Sequence, residues 1–231
     1  QWLAPLLDHL RDLATLRPRI LLAQCGGAVG TLAEFGPAGP AIAAQFAREL
    51  DLAPAAWPWH SRRHALHEVA AWIGLVLGSV AKFGQDALLL QQTELAELAE
   101  GPAGVGRSSA MPHKRNPIRA EAVLVACHCG RAHQLALLSS PSPEHERGTL
   151  TLQLEAIHLP ALLAHAGAAL AHAQALAAGL RPDPGRLRRN LSALSTPAAG
   201  AGHAPELTDS ILRAFDALPL PPPHPDLPAH E

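Results

Sequence analysis

Cysteine is scarce, and its arrangement excludes more than its number does. Three cysteines, with Cys25 remote from Cys127 and Cys129, cannot build a disulfide framework. A reducing, cytoplasmic compartment is therefore expected. An excess of either charge is also lacking. With 18 basic and 20 acidic side chains the formal charge is -2, which offers no electrostatic footprint for nucleic acid and no polybasic face for a membrane of anionic lipid. No secretory signal is found: Asp8 and His9 fall where an apolar leader would lie, without a basic start or a cleavage site. The longest strongly apolar run, Val69 to Ala81, is too short for a bilayer span and leads into Lys82 and Asp86. Period-two alternation of β-branched residues is missing too, so strands are not expected and the fold class is all-α.

What is present is helical patterning. With 48% hydrophobic and 16% charged residues the 231-residue chain is globular and long enough for one sizeable core or two small ones. Leu66, Val69, Ile73, Val76, Val80, Phe83, Ala87 and Leu90 alternate steps of three and four, which is the seam of a helix bundle. An earlier helix, about Trp2 to Ala23, carries Leu3, Leu6, Leu10, Leu13 and Leu16 on one side. Pro18 should kink it, and Gly26, Gly27 and Gly30 should end it. Another helix starts near Pro117 and runs to about Ser139, and a fourth, interrupted by Pro160, spans roughly Thr149 to Leu180.

The spacing predicts an elongated bundle over residues 1–181, two short helices joined by a small-residue linker over 182–218 and a disordered Pro-rich tail over 219–231. Trp72, Leu75, Leu77, Leu88 and Leu89 lie off the seam and need cover from another copy. The chain opens on Gln1 inside a helical pattern, so a preceding segment is expected.

Fourteen histidines invite a metal hypothesis, but no metal site is assigned. Cys127 and Cys129, two apart on a helix, point to nearly opposite sides and read as buried or partly buried thiols. His60, His64 and His67 share a face only if their helix extends back to His60, and Glu68 points elsewhere. His158, His165 and His172 repeat every seven residues, about 10 Å apart on a helix, and read as a stripe on a partly polar face.

The stretch from Glu100 to Pro117 is different in kind. It is a Gly/Pro-rich loop that ends in clustered Ser, His, Lys, Arg and Asn just before a helix start. Such a loop can fold over a ligand, and its donors near a helix N-terminus suit a carboxylate. A basic surface loop has the same composition, and spacing alone does not separate the two.

Ser108-Ser109-Ala110-Met111-Pro112-His113-Lys114-Arg115-Asn116-Pro117 resembles the signature loop of the fumarase/aspartase superfamily, which includes argininosuccinate and adenylosuccinate lyases. The flanking stretches are most similar to the 3-carboxy-cis,cis-muconate cycloisomerase branch of protocatechuate breakdown. These are Gln24 to Ala33 with its Gly-Gly-Ala-x-Gly-Thr turn, Pro58-Trp59-His60-Ser61, Gln92-Thr93-Glu94 and Glu144-His145-Glu146-Arg147-Gly148. The likeness runs from Trp2 to about Leu194.

The resemblance implies proton transfer beside a carboxylate through a dianion held by fixed positive groups. Ser108 matches the serine that acts as base in the lyases, Lys114 and Asn116 match the residues that grip the carboxylate, and Glu121 matches the carboxylate that orients a histidine of a neighbouring subunit. Ser109, Met111, His113, Arg63, Gln92 and Arg147 match positions near the substrate. The implied substrate is a small di- or tricarboxylate, no cofactor is needed, and each site is assembled from three subunits of a homotetramer. The superfamily's other two conserved regions, which supply a Thr-Ser pair and a histidine, have no match here. The implied reaction is lactonisation of a tricarboxylate diene. The alternatives are a lyase that releases fumarate and, from a different class, an inactive helical fragment or oligomerisation scaffold.

Overall fold

The computed structural model describes residues 1–101, 111, 116–140, 143–193 and 202–219. The architecture is all-α. Among the described residues the chain runs α1 (Ala4–Ile20), β1 (Leu22–Ala23), α2 (Gly39–Glu49), β2 (Ala53–Pro54), α3 (His64–Leu90), β3 (Leu98–Glu100), α4 (Ile118–Leu138), α5 (Thr149–Gly179), β4 (Leu180–Pro182), α6 (Pro184–Ala193) and α7 (Ala204–Asp216).

The core lies where α3, α4 and α5 pack side by side, with α1 laid against α3. The expected seam of α3 is buried at Ile73, Val76, Val80 and Ala87, and Ala70, Gly74, Leu77 and Gly84 widen it into a second stripe facing α4. Leu77, expected to need a second copy for cover, is fully buried within the chain, whereas Leu75 and Leu89 remain exposed. Small residues set the α3–α4 approach. A Cβ on Gly130 would come within 2.7 Å of Leu77 Cδ1, and one on Gly84 within 2.8 Å of Val123 Cγ1.

Several boundaries differ from expectation for identifiable reasons. α1 stops at Ile20, soon after Pro18, and the glycines lie farther on in a separate turn. Pro18 removes an N–H donor and crowds the preceding turn, so the helix ends near it before any glycine is reached. α5, by contrast, is continuous through Pro160 from Thr149 to Gly179. One missing hydrogen bond is tolerated because α4 packs along both halves of α5. α3 begins at His64, so His60 is outside it and the three-histidine face does not form. Glu68 does not point away: it lies 3.5 Å from His64 Nε2 and accepts from Arg19.

Two histidines of the expected α5 stripe face α4, while His172 is exposed. His158 Nδ1 meets His133 Nδ1 of α4 at 3.0 Å, and His165 stacks on the same ring. Burial pushes the Cys127 thiol up to about 11, which fits a packing role for that residue.

Four very short strands appear that no periodicity announces. β1 pairs in parallel with β2, and β3 pairs antiparallel with β4, Leu98 opposite Pro182 and Glu100 opposite Leu180. They act as ties at the two ends of the bundle. By length and composition alone α3 and α5 would each be long and apolar enough to cross a membrane. In α3 that apolarity forms the core of the bundle.

Candidate functional site

At the end of the bundle where α3 begins, a glycine turn wraps a histidine. Gly27 and Gly30 take φ of 71° and 87°, values an L side chain rarely adopts. The turn brings Gly30 so close to Pro58 that a Cβ would lie 3.0 Å from the proline Cβ. Glu34 Oε1 accepts the Ala28 N–H at 3.1 Å. Its own backbone N–H, with that of Ala28, holds the Glu34 carboxyl below the usual range. Gln24 joins the turn to the segment before α3: its Oε1 accepts from Trp59 N at 2.9 Å and its Nε2 lies 3.2 and 3.3 Å from the two ring nitrogens of His60.

Two arginines approach this histidine. Arg147, just before α5, donates from Nη1 to Ala28 O at 3.2 Å. Arg63 donates from Nε to Glu155 Oε1 at 2.8 Å and from Nη2 to Glu155 Oε2, while its Nη1 reaches Trp59 O at 3.0 Å. Burial first, then the charges of Arg147 and Arg63, lower the His60 pKa from its ordinary value, because each disfavours an added positive charge. The two guanidinium groups are not equivalent. Arg63 and Glu155 are both largely buried, so Arg63, expected near the substrate, is committed to an internal partner. Arg147 is exposed and keeps donors with no partner among the described residues.

At the opposite end, where α3 finishes, lie the residues that flank the stretch resembling the superfamily signature. Ser108, Ser109, His113 and Lys114 lie outside the described residues, as does the tail beyond residue 219. Met111 is exposed. Asn116 is half-buried, immediately before α4, and its carbonyl accepts from Ile118 N at 2.9 Å. It lines a polar cavity of about 300 Å³ with Gln91, Thr93, Glu100, Arg181 and Arg186. Glu121 is exposed in the first turn of α4. Gln92 is exposed in the turn after α3, where its carbonyl accepts from Leu95 N at 3.0 Å and Ala96 N at 2.7 Å.

Glu100 and Glu155 were not singled out as site residues by sequence reasoning. Glu155 stands out only as a lone acid on an otherwise apolar helix, and Glu100 only as the residue where the glycine-rich stretch begins. A larger, mostly apolar cavity of about 650 Å³ lies between α1 and α7, lined by Leu10, Leu13 and Leu218. It touches none of the candidate residues.

The candidate residues that the structure describes therefore form two groups. Arg63 and Arg147 lie at one end, Gln92, Asn116 and Glu121 at the other. The 27-residue α3 stands between them, a separation of about 40 Å at the usual helical rise. One chain cannot place both groups on one small molecule.

Comparison with known proteins gives the same pattern of likeness. A lyase family model matches residues 1–131. The 3-carboxy-cis,cis-muconate cycloisomerase of Pseudomonas aeruginosa is 46% identical over 192 residues, covering 82% of this chain and 41% of that protein. An N-acetyl-S-(2-succino)cysteine lyase of Dickeya dadantii is 33% identical, over 82% of this chain and 42% of the other. The crystal structure of the 3-carboxy-cis,cis-muconate lactonizing enzyme from Pseudomonas putida superposes with a TM-score of 0.77 and 36% identity, over 92% of this chain and 47% of that one. The chain thus spans less than half the length of each of these relatives.

Proposed function

Since this chain belongs to the fumarase/aspartase superfamily of lyases, we propose that it serves the cycloisomerisation of 3-carboxy-cis,cis-muconate or a close tricarboxylate diene in aromatic catabolism. The single observation that carries the reading is 46% identity to a cycloisomerase across 82% of the chain, a stretch that holds both end groups.

In this reading one substrate carboxylate oxygen forms a bond to the diene carbon. The displaced π pair moves toward a second carboxylate, and the resulting carbanion takes a proton. Lys114 and Asn116 steady the extra negative charge as it builds, where fixed donors act most strongly. Ser108 moves the proton, and Ser109, Met111 and His113 bind the substrate. A serine hydroxyl performs that step only inside a closed, electropositive loop. Glu121 orients a histidine of another subunit. Arg147 anchors a further carboxylate through the donors that have no partner among the described residues, and Arg63, held by Glu155 and Trp59 O, supports the segment that carries His60. Gln92 contributes a polar group at the rim.

The forty-ångström gap between the two groups supports a site shared between antiparallel copies, and a homotetramer supplies such pairs. A soluble, cytoplasmic location follows for an enzyme of small-molecule breakdown.

The test is a diene absorbance assay with 3-carboxy-cis,cis-muconate. Loss of the diene with lactone appearing is expected, and Lys114→Ala should lower the rate at least a hundredfold. Turnover of a succinyl-thioether or another succino compound to fumarate, without lactonisation, would replace this reading with the lyase one. The identity to N-acetyl-S-(2-succino)cysteine lyases makes that outcome worth including. Absence of turnover with every carboxylate in the properly assembled oligomer would favour a scaffold.

A further inference from the structure

Glu100 stands at the start of the loop, yet its side chain is engaged at the loop's far end. It is 7% exposed. Its Oε1 accepts the Arg119 N–H at 2.9 Å and its Oε2 the Ala120 N–H at 3.2 Å. These are two of the N–H groups that a helix N-terminus leaves without internal partners. α4 has no cap of its own, since Pro117 precedes it and makes no side-chain cap bond. A carboxylate from outside the helix therefore does the capping, across nineteen and twenty positions of sequence.

Glu100 is itself held on three sides. Its N–H donates to Gln91 Oε1 at 3.1 Å, and Gln91 donates in turn to Ala87 O of α3. Its strand pairs with β4, and the next residue, Gly101, donates to Gly179 O at 3.0 Å. The ends of α3 and α5 are thus tied to the backbone at Glu100 and Gly101, while the Glu100 carboxylate holds the start of α4. Asn116 sits two residues before that start and Glu121 in its first turn.

We propose that Glu100 is a positioning residue: its buried carboxylate sets the first turn of α4 and so places Asn116 for the reacting carboxylate and Glu121 for the histidine that it orients. The assignment rests on the function proposed above for its kinetic part, while its structural part is measurable without turnover. A purely stabilising cap would lower the melting temperature and leave the chemistry alone. A positioning group changes kcat more than KM, because misplacement of the groups that meet the transition state matters most there.

The experiment compares wild type with Glu100→Gln, Glu100→Ala and, as a control for a polar tie at the same end, Glu97→Gln, at the residue whose Oε1 accepts from Asn190 Nδ2. Each is assayed for kcat and KM with 3-carboxy-cis,cis-muconate, and amide hydrogen exchange is followed at Arg119, Ala120 and Glu121. Expected for Glu100→Ala are at least tenfold faster exchange at Arg119 and Ala120, kcat down thirtyfold or more and KM within threefold. Glu100→Gln, which keeps one acceptor oxygen, should fall between, and Glu97→Gln should stay near wild type. Unchanged exchange at Arg119 and Ala120 overturns the clamp. Faster exchange with unchanged kcat reduces Glu100 to a stabilising cap and overturns the positioning role. If wild type itself fails to turn over the tricarboxylate, the proposed function falls. The clamp is then judged by exchange at Arg119 and Ala120 alone, where no acceleration overturns it.

Discussion

Arg63 and Arg147 reach His60 from different elements, and the difference in their partners predicts different behaviour on substitution. His60 titrates below its ordinary value because of burial first and the two guanidinium charges second. Removing Arg147 removes one repulsive charge, so Arg147→Gln should raise the His60 pKa part of the way back, as read by NMR titration of the ring. The sign for stability follows from linkage. A histidine whose folded pKa lies below its unfolded value of 6.5 binds its proton first in the unfolded chain. Stability is therefore full above that value and declines as pH falls through it toward the folded pKa. Arg147→Gln should flatten this decline, and a steeper one would contradict the placement. Neither the fork of Arg63 onto Glu155 nor the capping by Glu100 was legible in the sequence. Each joins residues far apart in the chain, 92 positions for the first pair, and an isolated acid carries no mark of its partner. Arg147 and Asn116 could be nominated from sequence because the resemblance attaches to short contiguous motifs.

At the scale of elements, legibility followed periodicity. The step-three and step-four stripe located α3, and Pro117 located the start of α4, because a long half-buried helix repeats its signal many times. β1 to β4 span two or three residues each, too few for any period to show. α2 has only two buried positions, Gly39 and Ala47, so little apolar stripe marks it. The contacts between α3 and α4 yield a paired prediction from two glycines. Gly130 has no room for a side chain, with Leu77 in the way, whereas Gly78 has nothing within 4 Å of a built Cβ. Gly130→Val should cost about 1–3 kcal/mol by overpacking a buried contact. Gly78→Ala should instead leave stability level or raise it by up to about 1 kcal/mol through helix propensity. Denaturant titration of both variants distinguishes them, and equal effects would mean that the α3–α4 packing is loose at this crossing.

For the whole molecule, among the long helices of the bundle core more large apolar residues are left exposed on α4 and α5 than on α3. Val125, Leu135, Leu150, Ile157, Leu163 and Leu170 are 48 to 69% exposed. Leu150 with Ile157, and Leu163 with Leu170, each recur seven residues apart, so α5 presents two apolar stripes to its surroundings. A second copy laid antiparallel along this surface brings its Arg147 end beside the Asn116 end of the first, which the length of α3 forbids within one chain. The arrangement is testable by mixing. Arg147→Ala and Asn116→Ala are each expected to be inactive alone, because every site lacks one end. When the two are unfolded together and reassembled at equal amounts, a site that draws its ends from different copies has an even chance of an intact group at each position. Roughly a quarter of the sites are then intact, so about a quarter of wild-type activity should return. Sites built within single copies would recover nothing, since every copy carries one lesion, and a mixture that stays inactive while forming the same oligomer would exclude the shared arrangement.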